Sequence, residues 1–347
     1  MDDIQTQKQP AQKHQKRTPV KAQMMLIGSR ALSAARPALI ALLITSGAQF
    51  SGETAQPISF CNVLFVGNMC AAILVAGRFG IRKLAGDFSA LSARVQMGLA
   101  VNGCLAALLS TLIFLGLKET SVTNAVLLGR IGPVLFALMG AVILGRRIAR
   151  LEWAGFSLIV VGVLAIAFRA SHYQVNSGDV LILLSTIVFA ASTLINKVMI
   201  ANVATLPVIV FSRNFISAAA FFVLALKFYG PHHFADAFSA QLWVLMAVYA
   251  LIVVVAAQFL WYASFESLDS GTIGRLTVIS PIFGVAYAYL INGERPSAIQ
   301  LGTLVLVTVG VLIASVGRQR SGAAEASVDR ASVDKAGLEK AEDVATP

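Results

Sequence analysis

The chain has 347 residues, of which 57% are hydrophobic and 13% charged, with a net charge of +10 and a mean hydropathy of +0.77. Soluble domains carry roughly 45–50% apolar and about 25% charged residues, so composition excludes a disordered, collagen-like or disulfide-stapled chain and argues against a soluble enzyme. The basic excess is read as membrane topology, and no nucleic-acid partner is expected.

Residues 1–30 are rich in Gln and Lys, cannot bury enough apolar surface to fold alone, and read as a disordered cytoplasmic tail. Ten apolar runs follow, near 32–51, 57–77, 95–117, 121–144, 152–169, 178–198, 207–227, 241–264, 270–292 and 297–317. Each has about the 20 residues needed to cross a hydrocarbon core of ~30 Å. None shows the ~10-residue alternation of a barrel strand. Arg30 and Arg36 crowd the start of the first run and are expected to snorkel. Residues 318–347, with the tandem ASVDR and ASVDK, form a second tail of low complexity. The fold class is therefore an all-α integral membrane protein with ten transmembrane helices.

Cys61, Cys70 and Cys104 lie in apolar runs and read as small hydrophobes, not as a disulfide framework. His14, His172, His232 and His233 fall in a tail or in loops, so no metal and no cofactor is expected. The short loops that a cytoplasmic N-terminus would put inside hold eight bases: Arg78, Arg82, Lys83, Arg94, Arg146, Arg147, Arg150 and Lys197. The outside loops hold four: Lys118, Arg169, Lys227 and Arg295. This bias places a multi-pass protein in the cell (inner) membrane with both termini in the cytoplasm.

Sliding the chain by 148 residues superposes its halves. Pro133 meets Pro281, Gly145 meets Gly293, Arg147 meets Arg295, and Gly162-Val163-Leu164 meets Gly310-Val311-Leu312. Ser110 falls on Gln258 and Thr45 on Thr193, while Pro57 meets Pro207 with two residues of slippage. The halves are residues 31–170 and 176–317. Five helices per half is odd, so the second half is inverted relative to the first, a transporter design built around a midplane site.

On these markers, Leu117–Phe168 and Ser264–Ser315 resemble the ends of EamA domains of the drug/metabolite transporter superfamily, and the likeness runs from about residue 35 to 317. It implies five plus five helices with both termini inside, and efflux of metabolites, amino-acid-like compounds or drugs. Gly145-Arg146-Arg147 departs from the usual Gly-Glu, which the second half keeps as Gly293-Glu294. Arg213, after Pro207, has no counterpart in the first half, where Val63 or Leu64 takes its place.

Pro133 and Pro281 each remove a backbone hydrogen bond and free the carbonyls of Gly129 and Thr277. Matched breaks of this kind point to a binding site, with a simple kink as the alternative. Three arginines lie within spans: Arg130, roughly 14 Å deep, and Arg213 and Arg275, about 8–10 Å from the cytoplasmic ends. With no deep Asp or Glu, two readings stand. Either the arginines lock helices through carbonyls or hold lipid phosphate, or they give a pocket a positive field for a carboxylate or phosphate. Thr45, Gln49, Asn68, Asn102, Ser110, Thr193, Asn196, Asn214 and Gln258 are candidate polar lining. The substrate-binding set is thus Gly129, Arg130, Pro133, Thr193, Asn196, Arg213, Gln258, Arg275, Thr277 and Pro281.

The chain is therefore expected to be a secondary transporter exporting a small polar metabolite by alternating access, and not an enzyme. Exchange of anions such as sugar phosphates is the alternative within that class, and an intramembrane enzyme or lipid-handling protein the rival outside it. Expected partners are the bilayer, a small metabolite of anionic character and, left open, a second copy in a homodimer.

Overall fold

The computed structural model describes residues 19–46, 60–145, 147–169, 176–200, 203–229, 240–265, 268 and 270–320. Among these there is no strand, and ten helices are long and apolar enough to cross a membrane. The first span joins α1 (Pro19–Ala34) to α2 (Arg36–Ser46), and the second is α3 (Phe60–Phe79). A short helix, α4 (Ile81–Ser89), precedes the third span, α5 (Ala93–Glu119). The fourth is α6 (Val122–Leu128) with α7 (Ile131–Leu144), and the fifth is α8 (Arg150–Arg169). The sixth is α9 (Ser177–Ile195) with a π-helical turn at Asn196–Ile200, and the seventh is α10 (Leu206–Tyr229). The eighth holds α11 (Ala240–Tyr249), a π-helical stretch Ala250–Ala256 and α12 (Ala257–Phe265). The ninth joins α13 (Ser270–Thr277) to α14 (Ser280–Asn292), and the tenth is α15 (Ala298–Arg320).

The first span runs over Val20–Thr45, so it starts earlier than its hydropathy suggests, and residues 19–30 are helix instead of tail. The reason lies in the arginines. Arg30 does not reach for the interface: its guanidinium stands 3.7 Å from the centroid of the Trp261 ring. Its Nη2 donates to Ser29 Oγ at 3.2 Å, and that hydroxyl donates to the Ala257 carbonyl at 2.7 Å. Cation–π contact and side-chain bonding hold the charge against α12. The basic loop after the second span is also helical: in α4, Leu84 is buried while Arg82 and Lys83 stay exposed. That is an amphipathic helix lying along the bundle's surface.

The halves interlock as a two-fold axis in the membrane plane demands. α5 packs along α9 and α1 along α12; α7 packs on α9 and α14 on α1; α10 touches α5 as α11 touches α3. Each pair maps onto the other when the halves are exchanged. The fifth and tenth spans show it at atomic level: a Cβ on Gly155 would meet the Gly310 carbonyl oxygen at 2.4 Å, and one on Gly162 would meet Thr303 Cγ2 at 3.2 Å. In the 148-residue register Gly155 corresponds to Thr303 and Gly162 to Gly310, so the two contacts are one contact seen twice. Small residues let these backbones touch, which drives helix association where lipid offers no hydrophobic contrast.

Both prolines break their spans at matched points, between α6 and α7 and between α13 and α14. The carbonyl freed at Gly129 is taken up by the amide of Gly132 at 3.2 Å, so it does not stay open for a ligand. Gly145 and Gly293 end α7 and α14 with φ of 66° and 68°, a left-handed cap that favours glycine.

Glu294, next to the second cap, ties the halves together at one end. Its Oε1 accepts from the Val122 amide at 2.6 Å, and its Oε2 accepts from the Thr123 amide at 2.9 Å and the Thr123 hydroxyl at 2.8 Å. It thus caps α6 across a gap of about 170 residues in sequence. Gln300 Nε2 adds a bond to Asn124 Oδ1 at 2.7 Å. The corresponding positions at the other end are Arg146 and Gly271 in place of Glu294 and Thr123, so the sequence supplies this tie once. Glu294→Ala is expected to cost about 1–2 kcal/mol, the range of a lost charged cap, and Glu294→Gln less. Denaturation midpoints in detergent check the order.

Candidate substrate site

Where the spans of the two halves meet, they enclose a cavity of about 90 Å³. Its polar lining is Arg36, Asn68, Ser110, Arg213, Asn214, Tyr249 and Gln258. All but Gln258 fall in the middle third of their spans, which is the depth of a transporter's central site. No Asp or Glu is among the lining residues.

Each side chain is delivered by local structure. Pro37 cannot continue α1, so the helix turns at Ala35 and restarts at Arg36. That break sets Arg36 against the cavity, and its buried Nε has no hydrogen-bond partner among the described residues. Asn68 on α3 and Asn214 on α10 each donate Nδ2 to the carbonyl four residues back, Leu64 and Val210, both at 2.7 Å. Their amide oxygens remain as acceptors. Tyr249 and Gln258 flank the π-helical stretch of the eighth span, and Tyr249 lies within electrostatic reach of Arg36. Such stretches occur frequently at functional sites, because the extra residue per turn re-aims the side chains around it. The buried Oε1 of Gln258 also lacks a partner among the described residues.

Of the ten substrate-binding residues read from sequence, Arg213 and Gln258 line this cavity. Arg130 lies within electrostatic reach of Arg30 and donates Nε to the Val126 carbonyl at 3.3 Å, at the break of the fourth span. Gly129 caps α6, Pro133 is exposed on the outside of the bundle, and Pro281 is buried in the first turn of α14. Arg275 is exposed and donates to Thr272 Oγ1 at 3.2 Å; Thr277 ends α13, half-buried. Thr193 donates to its own helix at Phe189, and Asn196 opens the π-helical turn with its Oδ1 buried. None of these eight is on the cavity wall.

Among the wider polar set, Asn68, Ser110 and Asn214 do line it, while Thr45 bonds its own backbone and Asn102 accepts from Ser192. Gln49, His14, His172, His232 and His233 lie outside the described residues. Arg36, expected from sequence to snorkel, lines the cavity instead, and Tyr249 escaped the sequence reading. Proline directly after an arginine was the available signal for the first; nothing in the local sequence announces the π-helical stretch that carries the second.

The repeat explains the cavity's position. Ser110 and Gln258, equivalent at 148 residues, both line it. So do Val63-Leu64 and Arg213-Asn214, equivalent in the Pro57–Pro207 register. The cavity therefore lies on the pseudo-two-fold axis.

The EamA-like transporter family matches this sequence twice, over residues 28–168 and 176–316. The chain belongs to that family. It is a multi-pass membrane transporter, with two EamA units accounting for the ten spans. The uncharacterized transporter sll1164 of Synechocystis is 29% identical over 82% of this chain and 83% of its own. The pseudopaline exporter CntI of Pseudomonas aeruginosa is 25% identical over 65% of this chain and 77% of its own. A solved crystal structure at 16% identity shares the fold, with a TM-score of 0.54 over 87% of this chain and 99% of that one.

Cysteine chemistry tests the placement. With Cys104, which is exposed, changed to Ala, the buried Cys61 and Cys70 give a quiet background. The thiols of Ser110→Cys and Gln258→Cys are expected to react with a small charged methanethiosulfonate at least tenfold faster than that background. Rates equal to the background would remove both positions from an aqueous cavity.

Proposed function

We propose that this EamA-family transporter exports a small anionic metabolite across the cell membrane by alternating access, with both termini in the cytoplasm. The observation that carries it is the pair Arg36 and Arg213 in one mid-depth cavity whose lining holds no carboxylate. A guanidinium inside the membrane costs several kcal/mol unless it faces water, a partner or a ligand of opposite charge. A carboxylate or phosphate in the cavity would give Arg36, whose Nε has no partner among the described residues, a charge-assisted hydrogen bond in the positive field that Arg213 shares.

Several features support the rest of the reading. The inverted halves interlock symmetrically, so exchanging their conformations opens the cavity to the opposite side. Glu294 and Gln300 tie one end shut, and opening at that end requires their bonds to α6 to break. Eight bases on one set of short loops against four on the other support termini inside. That count survives the longer first span, because Arg30 and Arg36 do not enter it. A relative named for pseudopaline export supports the direction. The same cavity would also serve anion-for-anion exchange, and a requirement for anion on the far side marks that variant.

Transport in proteoliposomes checks the site. Arg36→Gln and Arg213→Gln are each expected to lower kcat/KM by tenfold or more, about 1.4 kcal/mol of lost binding per factor of ten. Arg275→Gln, away from the cavity, is expected to transport like the parent protein. Unchanged transport in both cavity variants would sink the anionic reading.

A further inference from the structure

We infer that the transported anion is an organic carboxylate with an apolar body and one N–H or O–H donor, of the kind of a branched 2-hydroxy acid; this rests on the anionic reading above. The observation is a chemical asymmetry across the pseudo-two-fold axis. Equivalent positions of the two halves face one cavity, yet the first half supplies Val63 and Leu64 where the second supplies Arg213 and Asn214. Ile40, Leu109 and Ile113 extend the apolar wall. α3 and α10 pack against each other along this boundary, so the cationic and apolar surfaces are neighbours around one small volume.

A wholly hydrophilic anion fits such a cavity poorly. Phosphate needs hydrogen-bond donors around all its oxygens, and turning some of them toward Val63 and Leu64 leaves them desolvated and unpaired. An organic carboxylate divides as the cavity does. Its charged end meets Arg36 and Arg213, and its carbon skeleton covers the aliphatic wall, gaining about 25 cal/mol for each Å² taken from water.

The donor follows from a third group. Gln258 Oε1 is buried without a partner among the described residues and lines the same cavity. A buried acceptor left unmet is costly, and a hydroxyl or amide N–H on the ligand satisfies it. A free ammonium would also donate, but it would enter a cavity already holding two guanidinium groups. A neutral donor is therefore favoured over a zwitterion. The size is consistent: about 90 Å³ is far below the roughly 300–1,000 Å³ of sites for drug-sized ligands.

The experiment is calorimetric or thermal-shift titration of the purified full chain with four probes: 2-hydroxy-4-methylpentanoate, 4-methylpentanoate, leucine and inorganic phosphate. The hydroxy acid is expected to bind best, with loss of its hydroxyl weakening binding about tenfold and phosphate weaker still. Gln258→Leu is expected to weaken the hydroxy acid about tenfold more than 4-methylpentanoate and so erase the difference between the first two probes, a selective loss that a merely misfolded variant would not give. Val63→Asn with Leu64→Gln is expected to shift preference toward phosphate by tenfold or more. Phosphate binding as tightly as the hydroxy acid would overturn the apolar-body inference and leave the anionic reading standing. Failure of all three anionic probes to bind would overturn both.

Discussion

The arrangement of this transporter turns on a guanidinium held inside an apolar bundle with no carboxylate beside it among the described residues. Hydrocarbon gives no solvation to such a group, so the surrounding helices either supply partners or open a wet cavity around it. Both solutions occur here. Arg30 is held by the Trp261 face and by Ser29, itself bonded to the backbone of α12. Arg36, six residues on, is left facing the cavity because Pro37 restarts the helix there. The same span thus carries one structural arginine and one available for a ligand.

The two-fold relation between the halves supplies the frame, and departures from it supply the function. Gly155 against Gly310 and Gly162 against Thr303 are one contact repeated, and they lock the fifth and tenth spans away from the cavity. Ser110 with Gln258, and Val63-Leu64 with Arg213-Asn214, obey the same symmetry in position and break it in chemistry, whereas Leu184 and Val101, the counterparts of Arg36 and Tyr249, are off the cavity wall. At one end Glu294 caps α6, and the equivalent position in the sequence of the first half is Arg146. Two halves with different end ties do not have two equal conformations, so the inward and outward states differ in free energy.

The breaks in the fourth and ninth spans lie off the cavity wall, although the sequence marks them correctly. Pro133 and Pro281 do interrupt their helices, at equivalent points. Yet the next amides tighten around the break at Gly129, and Pro133 turns outward. The break that feeds the cavity is at Pro37, whose repeat partner is Ser185, so a search for matched prolines passes over it.

The sequence by itself determined the ten spans, the doubling into two five-helix units and the family, because each rests on composition and spacing that survive any packing. It also placed Ser110 on Gln258, and Val63 or Leu64 at the place of Arg213, and these residues line one cavity. Tertiary structure alone decided which polar residues share that cavity. Arg130 and Arg213 look alike in sequence, but their positions divide them: one bonds the Val126 carbonyl at a helix break, the other lines the central space. That division depends on helix rotation and on π-helical turns, which residue spacing does not encode. The start of the first span was decided the same way, by a tryptophan more than two hundred residues distant that gives Arg30 a place inside the bundle.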